Sequence, residues 1–287
     1  MEKTIDEKVL ADYNAGIEKD RLRTGLGLIE FERSKELLSE FLPPPPAVIY
    51  DIGGGYGEYS WYLASLGYEV SLLDISETNI EMSHDLSSEY PGTALRRAEV
   101  ADARSISLPS ASADAILFMG PLYHINEKSE RLLALSECMR LLSPGGLLFT
   151  AAITQYASLL WATTVFGVKN HLLAEDAFME MVAHELGTGE HIPPKDSAYR
   201  GIGHSHFHSP KALEAELNEA GFADTSIHAA VGAGWLAPDI DALWKDEANR
   251  AAIMRSVRLI DKSPDILGLS THLLAVSRKP EIFNLLG

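Results

Sequence analysis

Cysteine is almost absent: Cys138 stands alone in 287 residues, so neither a disulfide framework nor a cysteine-ligated metal centre can be built. Positive charge is scarce too. Against 41 Asp and Glu there are 24 Lys and Arg, a formal net charge of −17, and the cations form no long run. Such a balance repels a phosphate backbone and argues against a nucleic-acid partner. The opening Met1-Glu2-Lys3-Thr4-Ile5-Asp6-Glu7-Lys8 is charged and lacks the apolar core of a secretory leader, which predicts a cytoplasmic chain. Residues 145–168 carry no charge, and that length would suit a membrane helix. The paired glycines at its start and Thr154, Gln155, Tyr156 and Ser158 in its middle predict a strand followed by a helix instead, with no membrane partner.

What is present begins with 46% hydrophobic residues, enough over this length to bury a full α/β core in one large domain with an embellishment. Pro43 to Pro46 stop any preceding helix, and Val48, Ile49 and Ile52 then form a short apolar, partly β-branched run that predicts a first buried strand. Asp51, Gly53, Gly54, Gly55 and Gly57 close it. Glycines here let the backbone approach a ligand, and a helix starting near Glu58 turns its amide groups toward whatever is bound. Glu69 to Asp74 reads as a second strand ending in an acid, 23 residues after Asp51. A carboxylate there can accept from both hydroxyls of a ribose, although it also suits the N-cap of the next helix. A third strand is expected to end at Ala98-Glu-Val-Ala-Asp102-Ala103, and a fourth, Ala113 to Met119, runs into Gly120-Pro121-Leu122-Tyr123-His124. Asn126 to Leu142 is an amphipathic helix, broken by Ser143-Pro-Gly-Gly146 before a fifth strand, Leu147 to Ala152.

The form Asp51-Ile-Gly53-Gly-Gly55-Tyr-Gly57, the Gly120-Pro-Leu-Tyr-His124 stretch and the Leu-Ser-Pro-Gly-Gly turn at 142–146 resemble the class I S-adenosylmethionine-dependent methyltransferases, in their small-molecule branch. The resemblance implies a Rossmann-like, seven-stranded, mostly parallel sheet of order 3-2-1-4-5-7-6 with helices on both faces and a helical lid. It divides the chain into an N-terminal helical cap (1–42), a cofactor core (43–152), a lid insertion (153–208) and the rest of the core (209–287), whose last strand, His272 to Lys279, runs antiparallel. It implies S-adenosyl-L-methionine as cofactor, held by Asp51, Gly53, Gly55, Gly57, Asp74, Ile75, Asp102, Ala103 and Met119, with Asp102 accepting from the adenine amino group and Arg33 meeting the methionine carboxylate. Tyr123, His124 and His208 are then the catalytic candidates, and the partner is a small-molecule acceptor methylated on oxygen or nitrogen.

The lid is the least typical part. Leu159–Val168 and Glu175–Leu186 read as helices and Gly187–Gly203 as loop, ending in His204, His206 and His208 at every second position. In an extended segment these imidazoles share a side, which fits a metal; without an evident carboxylate they serve as loop groups or a base, so no metal is assigned. Two other classes fit the glycine cluster. An NAD(P)-dependent oxidoreductase shares the strand-turn-helix and Asp74, but the chain has neither the G-x-G-x-x-G spacing nor a Tyr-x-x-x-Lys pair, Tyr90 being followed by Ala94. A noncatalytic protein that binds S-adenosylmethionine would carry the same fold.

Overall fold

The computed structural model describes residues 20–281, apart from 196, 198 and 200. Residues 1–19 of the expected helical cap lie outside those residues; what is described of the cap is one 3-10 turn at Arg21–Arg23 and helix α1 (Leu26–Phe41). The tetraproline follows α1, and β1 (Val48–Ile52) begins directly after it. In chain order come α2 (Glu58–Ser65), β2 (Glu69–Asp74), α3 (Glu77–Leu86), β3 (Arg97–Val100), β4 (Ala113–Phe118), the single turn α4 (Pro121–His124), α5 (Lys128–Leu141) and β5 (Leu142–Ile153).

The segment expected as a lid holds α6 (Ala157–Ala162), α7 (Val165–Lys169), α8 (Asp176–Thr188) and a two-stranded ribbon of β6 (Glu190–His191) and β7 (Ser205–His206). The core resumes with α9 (Pro210–Glu219), β8 (Ala223–Ala229), α10 (Ile240–Leu243), α11 (Glu247–Ile260) and β9 (His272–Arg278).

The main sheet has the order β3-β2-β1-β4-β5-β9-β8, which is the expected 3-2-1-4-5-7-6 once the lid ribbon is set aside. Five strands are parallel, and β9 enters antiparallel between β5 and β8, pairing Phe149 with Val276 and Ile227 with Ala275. The strands are apolar on both faces because helices cover both. Leu37, Leu38, Tyr59 and Leu63 of α1 and α2 pack with Ile49, Phe149 and Val276 on one face, while Leu135, Leu141 and Leu217 of α5 and α9 pack with Ile52, Phe118 and Leu148 on the other. Strand order reverses between β1 and β4. The crevice above their carboxyl ends is where open α/β sheets bind ligands.

Several boundaries differ from the sequence reading for local reasons. β5 begins at Leu142, because Ala113 on β4 already pairs with it, so the Pro-Gly-Gly segment lies within an irregular strand start. β3 stops at Val100, two residues before Asp102. The uncharged stretch is divided among β5, α6 and α7, and among the described residues no helix is long and apolar enough to cross a membrane.

Candidate active site

The turn after β1 is fixed by what surrounds its glycines. Gly53 donates its amide to Leu73 O at 2.6 Å and has φ +68°; a Cβ there would sit 2.3 Å from Pro121 Cγ. A Cβ on Gly54 would come within 2.5 Å of the Asp51 carboxylate, whereas one on Gly55, at φ +59°, would meet nothing within 4 Å. Gly53 and Gly54 are therefore glycines because of the protein, and Gly55 faces open space. That space is a cavity of about 430 Å³, of the size that takes a small-molecule ligand, and Gly53, Gly54 and Gly55 form one wall of it.

Three acids expected at the site reach this cavity. Asp74, at the end of β2, accepts from Gly55 N at 2.8 Å through one oxygen and from Ser76 N (2.9 Å) and Asn79 Nδ2 (3.0 Å) through the other. Ser76, not Asp74, is the N-cap of α3, its side chain accepting from Asn79 N. Asp74 thus ties the glycine turn to α3 and presents its carboxylate to the cavity. Asp51 is buried beneath Gly54 and accepts from Ser60 Oγ at 2.7 Å. Burial lifts its carboxyl to about 7; the Ser60 bond opposes the rise and the Asp74 charge adds to it. Asp102 is clasped by Arg104, whose Nε and Nη2 donate at 2.9 and 2.7 Å, and Arg104 reaches on to Glu130 at 2.9 Å. Ile75, Ala103 and Met119 also line the cavity.

Tyr123 and His124 arrive on α4, which Pro121 opens at its first position. Both line the cavity with their rings 4.6 Å apart, and Tyr123 OH donates weakly to Met119 O at 3.4 Å. Three other expected residues do not line it. Gly57, at φ +89°, is the N-cap of α2 and packs against Leu72 and Ser83. Arg33 lies on the far face of α1, where its guanidinium meets Glu36 at 2.7 Å and pairs with Asp261, itself bonded to His228 Nδ1 at 3.0 Å. His208 is buried at the end of β5, its amide donating to Ile153 O.

Among the described residues of the cap, the cation that lines the cavity is Arg21. It is held by Glu30 at 2.8 and 3.2 Å. Burial alone would raise the Glu30 carboxyl, but the Arg21 charge prevails and keeps it below its usual range. Neighbouring bonds from Asp20 N to Tyr56 OH (3.2 Å), from Tyr56 OH to Glu58 (2.9 Å) and from Arg23 to Glu89 (3.0 Å) strap residues 20–25 over the glycine turn. Arg21, Arg104 and Glu130 carried no sequence signal beyond their charge. The lid contributes His204, whose Nε2 lies 3.1 Å from Glu190.

The cavity lining holds Asp51, Glu58, Asp74, Asp102, Glu127 and Glu130 against Arg21 and Arg104, an excess of acid that favours a cationic ligand. The pyrophosphate of a dinucleotide would meet the same acids with the wrong sign.

Residues 50–150 match a protein family described as a methyltransferase domain. The chain is 34% identical over 126 residues to a malonyl-(acyl-carrier protein) O-methyltransferase of Methylococcus capsulatus, a stretch covering 42% of this chain and 44% of that protein. It is 30% identical over 107 residues to a ubiquinone biosynthesis O-methyltransferase of Caulobacter vibrioides, covering 37% and 41%. The match thus spans less than half the length of either relative. Among solved structures, an S-adenosylmethionine-dependent methyltransferase from Methanosarcina mazei is similar with a TM-score of 0.55 at 19% identity, covering 85% of this chain and 97% of that one; at this identity the likeness speaks for the fold. Residues 50–150 thus match a methyltransferase domain, and the sheet order around them is the one expected of the class I S-adenosylmethionine-dependent methyltransferase fold.

Proposed function

We propose that the protein transfers a methyl group from S-adenosylmethionine to an oxygen or nitrogen of a small organic molecule. One observation carries the reading: a single cavity is lined at once by the glycine turn, the acids after β1, β2 and β3, and the Tyr123–His124 turn after β4. The donor set suits this cofactor. Gly55 opens on free space where a ligand backbone can approach, and the acidic lining suits a cation. Asp74 takes the ribose hydroxyls, Asp102 and Ala103 the adenine edge, Ile75 and Met119 the flat and apolar surfaces, and Arg21, in place of Arg33, the carboxylate.

When bound, the cofactor supplies a methyl already activated by its sulfonium. The chain's own residues therefore have to align and to shield. Tyr123 orients the acceptor, and His124 takes the proton that an acceptor hydroxyl or amine gives up. The strap at 20–25 and the lid at 154–208 keep water out. Both curated relatives are named O-methyltransferases, which favours oxygen as the receiving atom. The charge of −17 favours a small acceptor over nucleic acid.

Calorimetric titration with S-adenosylhomocysteine tests the cofactor: the wild type binds, and Asp74→Asn, which keeps the shape but weakens the acceptor, binds at least about tenfold more weakly, a loss of about 1.4 kcal/mol. Folded wild type that does not bind sinks the assignment. Labelled cofactor with a panel of phenols, carboxylic acids and amines tests turnover. His124→Gln is expected to lower turnover by about 10²-fold or more while leaving cofactor affinity in place; equal turnover by the variant removes His124 as the base.

A further inference from the structure

We propose that His206, His208 and Glu216 form a binding site for a divalent transition metal, zinc by its ligand chemistry, which fastens the end of the lid to the core. The three histidines at alternate positions do not act together. His204 turns to Glu190 on the lid ribbon, while His206 and His208 meet Glu216, one helix further on. One ligand atom from each of His206, His208 and Glu216 lies within 4.8 Å of the others, and the two imidazoles stand nearly perpendicular with centroids 4.6 Å apart.

His208 supplies the second observation. Its side chain is 1% exposed, yet Nδ1 has no partner among the described residues and Nε2 meets only the Glu216 carboxylate, at a distance long for a hydrogen bond. A buried ring nitrogen left without a partner calls for a ligand to explain it. Its Nε2 stands 3.5 Å from Glu216 Oε2. That is long for a hydrogen bond, but it matches the separation of about 3.4 Å between two ligands on one tetrahedral zinc with bonds of about 2.1 Å.

The surroundings are built for such a role. His208 is pinned by its backbone to β5, donating to Ile153 O at 2.9 Å and accepting from Gln155 N at 3.2 Å. Ser209 caps α9 by accepting from Ala212 N at 3.1 Å, which sets the helix carrying Glu216. Arg131 donates to both Glu216 oxygens at 2.7 and 3.0 Å and orients the carboxylate from behind, as outer partners of metal ligands do. Arg131 also donates to Ile125 O and Asn126 O, so its own place does not depend on Glu216 alone. Its charge balances that of Glu216, and each imidazole can offer a ring-nitrogen lone pair to an ion. Two nitrogens and one carboxylate oxygen leave a fourth position for water. None of the three residues lines the cavity, so the ion acts on architecture: it joins the lid ribbon through His206 and the end of β5 through His208 to α9. Phe207, between the two imidazoles in sequence, packs with Tyr123, which makes this joint one support of the cavity wall.

The test uses the full chain, stripped with a chelator and titrated with zinc chloride alone. One equivalent is expected to bind and to raise the melting temperature, since an ion held by the folded state alone stabilises it. Cobalt in its place is expected to give the visible absorption of a tetrahedral site. His206→Asn, at a half-buried position, is expected to weaken zinc at least tenfold with its circular dichroism unchanged, and Glu216→Gln to do the same. A His184→Ala/Glu190→Ala double variant, which removes the exposed imidazole–carboxylate cluster on the lid, is expected to keep the site intact. Absence of binding to the wild type, survival of tight binding in His206→Asn, or loss of binding in the double variant each overturns the proposal.

Discussion

The turns at the carboxyl ends of β1 to β4 and the lid above them use polar residues in opposite ways. In the turns, acids are fixed by backbone and side-chain donors but still face the cavity: Asp74 is held by Gly55, Ser76 and Asn79, and its carboxylate remains on the cavity wall. In the lid, polar groups are turned on each other. Glu185 and His191 are fully buried and 2.8 Å apart; Ser158 donates to the same Glu185 oxygen at 2.8 Å, and Tyr199 and Ile202 O close the other side of the imidazole at 3.2 Å. The lid's polar groups consume one another and hold α6, α8 and β6 together. The difference separates a site from a scaffold: the turns keep acceptors facing the cavity, whereas Ser158, Glu185 and His191 are turned on one another.

The sharpest way to break the turn side is Gly53→Val. A Cβ at 2.3 Å from Pro121 and a φ of +68° combine overpacking with a left-handed residue, each costing about 1–3 kcal/mol. A loss of about 3 kcal/mol or more is expected by denaturant unfolding, with binding of S-adenosylhomocysteine lost as well. Gly55→Ala is the contrast, because only the left-handed strain applies where the space is open. About 1 kcal/mol of stability is expected to go, while affinity falls further because the methyl group projects into the cavity. Equal affinity losses at matched stability would mean that Gly55 does not face the ligand.

The same contrast explains what the sequence made legible. β1, the glycine turn and the acids after β2 and β3 are local patterns, each readable within a few residues, whereas the sheet order came only with the family resemblance that those patterns carry. Arg33 and Arg21 were not separable in that way. Which arginine reaches the cavity depends on how α1 is rotated, and Arg33 is drawn away by Asp261, 228 residues on. The histidine alternation misled for a related reason. β7 is only two residues long, and His208 has already left it to bridge to Thr154 beside β5, so His204 turns to Glu190 while His206 and His208 stay together beside Glu216. Nothing in periodicity marks Ser158, Glu185 and His191 as one network, since only the fold brings them together.

The lid side is tested by Glu185→Gln, which keeps the shape and removes the charge. His191 and Ser158 then share a weaker acceptor in a dry interior, a loss of about 2 kcal/mol. Because the network is internal to the lid, faster amide exchange is expected across 176–206, with the amides of β1 and β4 unchanged. Uniform acceleration over the whole sheet would show that lid and core unfold as one unit.

The two kinds of buried carboxylate are distinguished through pH. Glu185 has an imidazole beside it, whereas Asp51 has only the Ser60 hydroxyl, and burial raises its carboxyl from 3.8 to about 7. Between those values the unfolded chain has lost the proton that the folded chain retains, so stability falls as pH rises through this window, by at most about 1.4 kcal/mol per unit. Asp51→Asn keeps the acceptor for Ser60 and removes the titration. Its unfolding free energy is expected to fall less steeply than that of the wild type from pH 5 to 7, by about 1 kcal/mol per unit, and parallel curves would refute a protonated Asp51. A cationic ligand entering the cavity favours the ionised form, so binding S-adenosylmethionine near pH 6.5 is expected to release a proton, read as a dependence of the calorimetric heat on the buffer's ionisation enthalpy. In Asp51→Asn that dependence is expected to shrink, because the acid that faces the ligand site no longer has a proton to give up.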